Sequence, residues 1–149
     1  MDIDIIIPIY NAFDFVKKCI ETVIEHTDLT QHTLLLVNDK STDERILPLL
    51  NSFIKENQSL NIILIDNKDN QGFVRTVNIG MQYSHHDVVL LNSDTEVTRN
   101  WLSKIQNCAY SKPAVATVTP LSNNATLASV PVFLAENTIP PGLSVEEYA

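Results

Sequence analysis

Short, continuous apolar runs alternate along the chain with segments in which apolar residues recur every three or four positions. The runs at 3–9, 33–37, 61–66, 87–91 and 114–118 have the length of strands and are typical of strands buried on both faces of a sheet. The segments between them predict four amphipathic helices. Their apolar faces are predicted to carry Val16, Cys19, Ile20, Val23 and Ile24; then Ile46, Leu47, Leu50, Phe53 and Ile54; then Phe73, Val74, Val77 and Met81; and then Trp101, Leu102, Ile105, Cys108 and Ala109.

Five strands alternating with four helices predict an α/β fold with an open, mostly parallel, Rossmann-like sheet and helices on both of its faces. Ligands of such folds bind beyond the carboxyl ends of the strands. The first four strands are followed there by polar residues, which are Tyr10-Asn11, Asn38-Asp39, Asp66-Asn67 and Asn92-Ser93-Asp94. The sequence therefore predicts a binding site at this edge of the sheet.

Composition narrows the class of protein. The chain has 149 residues, of which 44% are hydrophobic, and its 18 acidic and 10 basic residues give a net charge of −8. Without a basic stripe, a nucleic-acid partner is not expected. No apolar run approaches the ~20 residues that cross a bilayer, and the N-terminus carries no export signal. We expect a cytoplasmic protein, peripheral at the inner face of the membrane, with both cysteines buried as free thiols.

Asp94 is the candidate metal ligand. If the chain stayed extended after the fourth strand, Asn92, Asp94 and Glu96 would share one side. Oxygen donors of this kind suit Mg²⁺ or Mn²⁺ that also binds substrate phosphates, rather than Zn²⁺. A lone strand-end aspartate such as Asp39 or Asp94 is also compatible with a turn-capping role.

Four segments together resemble the family 2 glycosyltransferases, which have the GT-A fold and transfer a sugar from a nucleotide diphosphate donor. The segments are Ile6-Ile7-Pro8-Ile9-Tyr10-Asn11, Val37-Asn38-Asp39-Lys40-Ser41-Thr42-Asp43, Asn70-Gln71-Gly72-Phe73 with Asn78 and Gly80, and Leu91-Asn92-Ser93-Asp94-Thr95. They span about the first hundred residues in the family's order. The resemblance implies a nucleotide diphosphate sugar as donor, a glycan or lipid-linked acceptor, and a place in the synthesis of a bacterial polysaccharide or cell-surface glycan.

The resemblance also implies roles for individual residues of the nucleotide-sugar site. Pro8, Tyr10 and Asn11 would wall the base pocket, and Asp39 would accept the N3–H of a pyrimidine, which uracil and thymine carry and neutral cytosine lacks. The donor would thus be a UDP- or dTDP-sugar. Asn70 and Gly72 would belong to the same site.

The diphosphate end of the donor is implied to lie near Arg75, although an exposed helix arginine is an equally good interpretation. Asn92 and Ser93 stand in the family's Asp-x-Asp signature, and Asp94 would hold a divalent metal, Mg²⁺ or Mn²⁺. Because Asn92 replaces the first carboxylate of the signature, one negative charge is missing and the hold on the metal should be weakened.

A catalytic base has no clear candidate. The resemblance places it in the second half of the family's domain, whereas Glu136, Glu146 and Glu147 are interpreted as surface residues. We divide the chain into an α/β nucleotide-diphospho-sugar-binding domain at 1–119 and an irregular tail at 120–149 that leads into an acceptor-binding part. The capping-box pattern of Ser144 and Glu147, followed by only two residues, predicts truncation at the C-terminus and a fragment without activity of its own.

Other function classes were compared with this hypothesis. A nucleotidyltransferase would carry a glycine-rich, basic loop after the first strand, and a receiver domain would carry an acidic pair there. The loop from Pro8 to Asn11 has neither. A non-catalytic nucleotide-binding or interaction domain with an α/β fold remains the alternative.

Overall fold

Strands and helices alternate along the chain in the computed structural model, which describes residues 1–122, 132, 134 and 137–144. The elements are β1 (Ile3–Ile9), α1 (Phe13–His26), β2 (Thr33–Asn38), α2 (Ile46–Glu56), β3 (Ile62–Asp66), α3 (Phe73–Tyr83), β4 (Asp87–Leu90) and α4 (Trp101–Ala109). The first four predicted strands and all four predicted helices are confirmed, with ends that differ by a few residues at most.

The four strands form a single parallel sheet in the order β3-β2-β1-β4. The chain adds β2 and then β3 on one side of β1, and it then crosses the sheet to place β4 on the other side of β1. Right-handed crossovers place the connecting helices of these two directions on opposite faces. The predicted parallel α/β fold with helices on both faces is therefore confirmed, and the reversal in strand order marks the edge where such folds bind ligands.

The sheet is buried most deeply along its two central strands, as their continuous apolar sequences predict. Every residue of β1 except Pro8, and every residue of β2 except Thr33, is buried. On one face Ile6, Leu35 and Val37 form a cluster, against which Ile65, Ile79 and Val88 pack. Since hydrophobic burial is the main favourable term in folding, these two strands carry much of the stability of the domain.

Helix α3 packs on the sheet through a different face from the predicted one. Phe73, Val74 and Met81 are exposed, and the buried residues are Thr76, Val77 and Gly80. A Cβ added to Gly80 would lie 2.7 Å from Cγ2 of Ile6. The helix thus approaches the sheet through small side chains, which an analysis of large apolar residues overlooks.

The predicted fifth strand at Ala114–Val118 is wrong. A turn from Lys112 to Val115 precedes a segment without strand pairing among the described residues, and most of the segment is exposed. Two of its five residues are alanines, which have low strand propensity and bury little apolar surface.

The chain divides into two compact units, Met1–Val97 and Thr98–Ala149. The first contains the whole sheet with α1 to α3, and the second contains α4. In α4, Trp101 and Leu102 are buried as predicted, but Cys108 is exposed near the end of the helix, so only Cys19 is a buried thiol. Within the described residues, no helix has the length and apolar character of a membrane span.

Candidate functional site

An open cavity of about 300 Å³ lies at the carboxyl ends of β1 and β2 and at the first turn of α3. Its lining includes five residues of the predicted nucleotide-sugar site, which are Pro8, Tyr10, Asp39, Asn70 and Gly72, together with Ile9, Phe73 and Thr76. The structure thus brings together three segments of the chain that the sequence placed at separate strand ends. Asn11, Arg75, Asn92 and Ser93 do not line this cavity.

Asp39 is the best-connected side chain of the cavity. Its Oδ1 accepts the backbone N–H of Gln71 at 2.7 Å and the side-chain amide of Asn67 at 2.9 Å, and its Oδ2 accepts the N–H of Gly72 at 2.9 Å. The side-chain amide of Asn70 donates a hydrogen bond to the backbone carbonyl of Asp39 at 3.2 Å. The carboxylate therefore fixes the loop between β3 and α3 against the end of β2.

These donors keep the buried carboxyl group ionised. Burial alone would raise the pKa of Asp39, but the hydrogen bonds from Gln71, Asn67, Thr76 and Gly72 together lower it below its usual value. A carboxylate whose pKa lies below the usual value of an aspartate is a poor general base at neutral pH. Its chemistry is that of a fixed hydrogen-bond acceptor.

Asn11 connects the loop after β1 to the loop after β2. Its Oδ1 accepts the backbone N–H of Thr42 at 2.8 Å and of Asp43 at 2.9 Å, while its own N–H donates to Oγ of Ser41 at 2.9 Å. The residue adopts a left-handed conformation, with φ of 59°, which asparagine tolerates better than most residues. Asn11 thus positions the two loops that carry Tyr10 and Asp39.

Three residues at the site were not predicted: Phe73 and Thr76, which line the cavity, and Asn67, which contacts the carboxylate of Asp39 without lining the cavity. Asn67 bridges Asp39 and Thr76, and Thr76 is fully buried in the first turn of α3. Phe73 is 60% exposed and shares the cavity with the half-exposed ring of Tyr10. Two features of the sequence could have identified residues of this group. Asn67 directly follows a strand, and Thr76 places a hydroxyl on the inner face of a helix.

The chain does not stay extended after β4. A turn closes from the N–H of Thr95 to the carbonyl of Asn92 at 3.1 Å, so the extended backbone on which the alternation of Asn92, Asp94 and Glu96 depended is absent here. Asp94 lies at the third position of this turn, and its side chain is exposed, as is that of Glu96. Because β4 pairs only with Ile3–Ile6, the turn leaves the sheet beside the carboxyl half of β1.

The residues of this turn fit a hard divalent cation. Asn92, Ser93 and Asp94 offer only oxygen or amide donors, and the described residues contain no group of three or more His, Cys, Asp or Glu side chains suited to hold a metal unaided. Mg²⁺ and Mn²⁺ bind in this way, through one or two carboxylates completed by waters and substrate phosphates.

Arg75 is exposed in the first turn of α3 and makes no ion pair within the described part of the chain. Glu136, Glu146 and Glu147 lie outside the described residues, as does the whole segment 123–131. The cavity itself contains one carboxylate, that of Asp39.

The sequence matches a known protein family and is similar to individual glycosyltransferases. Residues 4–133 match the family described as glycosyl transferase family 2. Polypeptide N-acetylgalactosaminyltransferase 11 of Xenopus tropicalis is 31% identical over 104 residues, covering 68% of this chain and 17% of that protein. Poly(ribitol-phosphate) beta-glucosyltransferase of Bacillus spizizenii is 33% identical over 73 residues, covering 48% of this chain and 11% of that protein.

Solved structures share the fold at low sequence identity. The mannosyltransferase PcManGT from Pyrobaculum calidifontis, in complex with GDP-Man and Mn²⁺, matches with a TM-score of 0.69 at 17% identity over 74% of this chain and 32% of that one. TarS 1–349 of S. aureus, in complex with UDP-GlcNAc, matches with a TM-score of 0.60 at 18% identity over 71% and 30%. The chain thus spans less than a third of each of these four proteins.

Proposed function

The chain belongs to glycosyl transferase family 2, and from this premise we propose that it binds a UDP- or dTDP-sugar for transfer of the sugar to an acceptor hydroxyl. One observation carries the proposal. A cavity walled by Tyr10, Asp39 and Gly72 opens at the carboxyl ends of β1 and β2, and the turn that bears Asp94 follows β4, which pairs with β1 on the other side. A nucleotide and its diphosphate need these two features, an apolar pocket and an oxygen-rich turn, on one edge of the sheet.

The base would lie in the cavity against Tyr10 and Phe73. Both rings are at least half exposed and both line the cavity, so each has apolar surface that a base can cover. Stacking of a base on an aromatic ring contributes about 1–3 kcal/mol. Pro8 and Gly72 would complete the walls, with no side chain on Gly72 to restrict entry.

Asp39 would read the N3–H of the pyrimidine. A carboxylate has about four lone-pair sites, and the donors from Gln71, Asn67, Gly72 and Thr76 already occupy them. The hydroxyl of Thr76 is the donor that can turn away without disturbing the loop. The proposal is therefore that the base N3–H replaces the Thr76 hydroxyl on the carboxylate.

The diphosphate would extend from the cavity toward Asp94, with Asn92 and Ser93 beside it and Arg75 as a contact from α3. A divalent metal held by Asp94, when bound, supplies positive charge to the departing diphosphate. Since Asn92 contributes no charge, Asp94 is the principal ligand from this turn. Mg²⁺ and Mn²⁺ are both compatible with these donors.

Transfer would be inverting, by in-line attack of an acceptor hydroxyl on the anomeric carbon of a hexose. The proton of that hydroxyl needs a base, and Asp39, with its lowered pKa and full set of donors, is unsuited to the role. We assign the base and the acceptor site to parts of the whole protein beyond this cavity. Similarity to a poly(ribitol-phosphate) beta-glucosyltransferase supports a bacterial cell-surface polymer as acceptor. A lipid-linked acceptor and a place at the cytoplasmic face of the membrane are parts of the proposal that rest on the family resemblance alone.

Calorimetric titration of the 149-residue chain with UDP, dTDP, GDP and CDP, each with and without Mn²⁺ or Mg²⁺, tests the proposal. We expect UDP or dTDP to bind most tightly and the metal to enhance binding. Tighter binding of GDP or CDP would contradict the pyrimidine assignment, and failure of all four to bind would contradict the nucleotide site.

A UDP analogue methylated at N3 isolates the role of Asp39 without altering the protein. The analogue lacks the proton that Asp39 would accept and adds bulk at the same point. We expect affinity to fall by about tenfold or more, since a lost hydrogen bond to a buried charge costs about 1.5–3 kcal/mol. Equal binding of UDP and its N3-methyl analogue would show that Asp39 serves the loop alone.

The cavity contains one carboxylate, Asp39, which is unsuited as a base. A non-catalytic nucleotide-binding domain is therefore the alternative function. The chain would then bind the nucleotide sugar without releasing the sugar to any hydroxyl. A transfer assay on the whole protein separates the two, because slow hydrolysis of the donor to free sugar and UDP is expected only of a transferase.

A further inference from the structure

Two side chains of α1, almost one helical turn apart, form hydrogen bonds with the backbone of the segment that follows β4. Cys19 donates from its thiol to the carbonyl oxygen of Asn92 at 3.6 Å. Thr22 accepts the backbone N–H of Val97 on Oγ1 at 3.2 Å and donates from the same hydroxyl to the carbonyl of Cys19 at 3.0 Å. Both side chains are buried; the contact of Thr22 with Val97 is buried as a whole, and that of Cys19 with Asn92 is partly buried.

The two contacts fall at the two ends of one short segment. Asn92 begins the turn in which Asp94 is the third residue, and Val97 follows three residues after Asp94. The N–H of Thr95 also lies at the sulfur of Cys19, and the charges of Asp94 and Glu96 help burial to raise the pKa of the thiol to about 12. Cys19 thus touches the backbone on either side of Asp94.

We infer that Cys19 and Thr22 are positioning residues that fix the carboxylate of Asp94 relative to the nucleotide cavity. The inference rests on the proposed function, because it assumes that Asp94 holds the metal. It concerns two residues of α1 that lie outside the cavity and outside the four segments on which the family resemblance rests.

Packing alone does not explain a threonine at position 22. A purely apolar position on the inner face of α1 would be filled by a residue such as Val16, Ile20 or Val23, which are its buried neighbours. The Thr22 hydroxyl instead satisfies a buried backbone N–H, which would otherwise cost about 1–3 kcal/mol. Partners that orient a metal ligand commonly change metal affinity by 10- to 100-fold when they are removed.

Thr22→Val tests this role, because valine has nearly the shape of threonine but lacks the hydroxyl. Metal binding and nucleotide binding are measured separately in this variant. Calorimetry measures the affinity of the 149-residue chain for UDP without metal, and then the enhancement of that affinity by Mn²⁺. We expect the enhancement to fall by about tenfold, while the metal-free affinity stays within about twofold of the parent. Thr22→Ser restores the hydroxyl and should restore the enhancement.

Cys19→Ala tests the other contact independently and should also weaken the Mn²⁺ effect. Val23→Ala is the matched control, since it truncates a buried residue of the same helix whose side chain has no hydrogen-bonding group. It should lower the thermal unfolding temperature without changing the Mn²⁺ enhancement. This control shows that general loosening of α1 is not the cause.

The outcomes distinguish the two proposals. If the parent binds UDP with metal enhancement and both Thr22→Val and Cys19→Ala keep that enhancement, the positioning role is overturned and the proposed function stands. If the parent shows no metal-enhanced UDP binding, the positioning role falls together with the metal assignment of Asp94. Loss of enhancement in Val23→Ala equal to that in Thr22→Val would also overturn the positioning role.

Discussion

Asn11 and Thr42 are joined by paired hydrogen bonds between two loops that lie 31 residues apart in the chain. Oδ1 of Asn11 accepts the N–H of Thr42 at 2.8 Å, and Nδ2 of Asn11 donates to Oγ1 of Thr42 at 3.1 Å. One asparagine side chain thereby joins the loop after β1, which carries Tyr10, to the loop after β2, which follows Asp39. The pocket is organised before any ligand arrives, which reduces the ordering cost of binding.

Asn11→Gly should weaken UDP binding by about three- to tenfold and lower the free energy of unfolding by about 1 kcal/mol, because the bridge is lost while the left-handed backbone remains allowed. Asn11→Asp retains the Oδ1 acceptor and is the matched control. Calorimetry and urea denaturation measure the two effects. A loss of affinity without any loss of stability would indicate that Asn11 contacts the nucleotide directly instead of bridging the loops.

Gly80→Ala should destabilise the domain even though alanine is the better helix former. The gain in helix propensity is about 1 kcal/mol, whereas the new Cβ would lie 2.7 Å from Cγ2 of Ile6 and 3.2 Å from Cγ2 of Val37. Overpacking of this kind costs about 1–3 kcal/mol, and both neighbours are β-branched strand residues with little freedom to move. Thermal denaturation should show a lower midpoint for this variant.

Asn78→Ala is the control for that comparison, because Asn78 is exposed on the same helix. It should raise the midpoint slightly through propensity alone. A rise of similar size in Gly80→Ala would mean that α3 can shift away from the sheet at no cost.

Sequence reasoning was most successful where one physical cause dominates. The central strands β1 and β2 are continuously apolar because both of their faces are buried, and the polar residues after them mark the binding edge in any parallel sheet. Five of the nine residues predicted for the nucleotide-sugar site, among them Tyr10, Asp39 and Gly72, accordingly line one cavity.

The errors arise where distant parts of the chain decide the outcome. The spacing of Ser41 and Glu44 is that of a capping box, which by itself predicts that a helix begins at Ser41. In the structure α2 begins only at Ile46, and Oγ of Ser41 accepts the N–H of Asn11. The segment after β4 turns, with Cys19 of α1 at the carbonyl of Asn92. Periodicity describes a single segment and carries no information about such partners.

Asp39→Asn should lower the free energy of unfolding by about 1–3 kcal/mol in the absence of any nucleotide. The amide would point two N–H donors toward the N–H groups of Gln71 or Gly72, leaving a buried donor without an acceptor. Asp69→Asn, an exposed carboxylate of the same loop, should change stability by less than about 0.5 kcal/mol. Equal stability of the two variants in urea would contradict the anchoring role of Asp39.

The stability of the domain should also fall as the pH decreases below about 6.5, because His32 is buried as the neutral imidazole. Its Nδ1 accepts the N–H of Ile3 at 3.2 Å, which a protonated ring nitrogen cannot do. Burial lowers the pKa of His32 from its usual 6.5, and the N-terminal amine acts in the same direction, while Asp28 and Asp2 oppose it.

Since the pKa of His32 is lower in the folded than in the unfolded chain, only the unfolded chain takes up the proton just below pH 6.5. The stabilisation by neutral His32 is therefore complete above pH 6.5 and is lost as the pH falls toward the folded pKa. His32→Asn keeps an acceptor at the position of Nδ1 but does not titrate, so urea denaturation at pH 7.5 and 5.5 should show a smaller difference for it than for the parent. His85→Asn, at an exposed histidine, should keep the parent's difference. An equal fall in stability for the parent and for His32→Asn would assign the acid sensitivity to other groups.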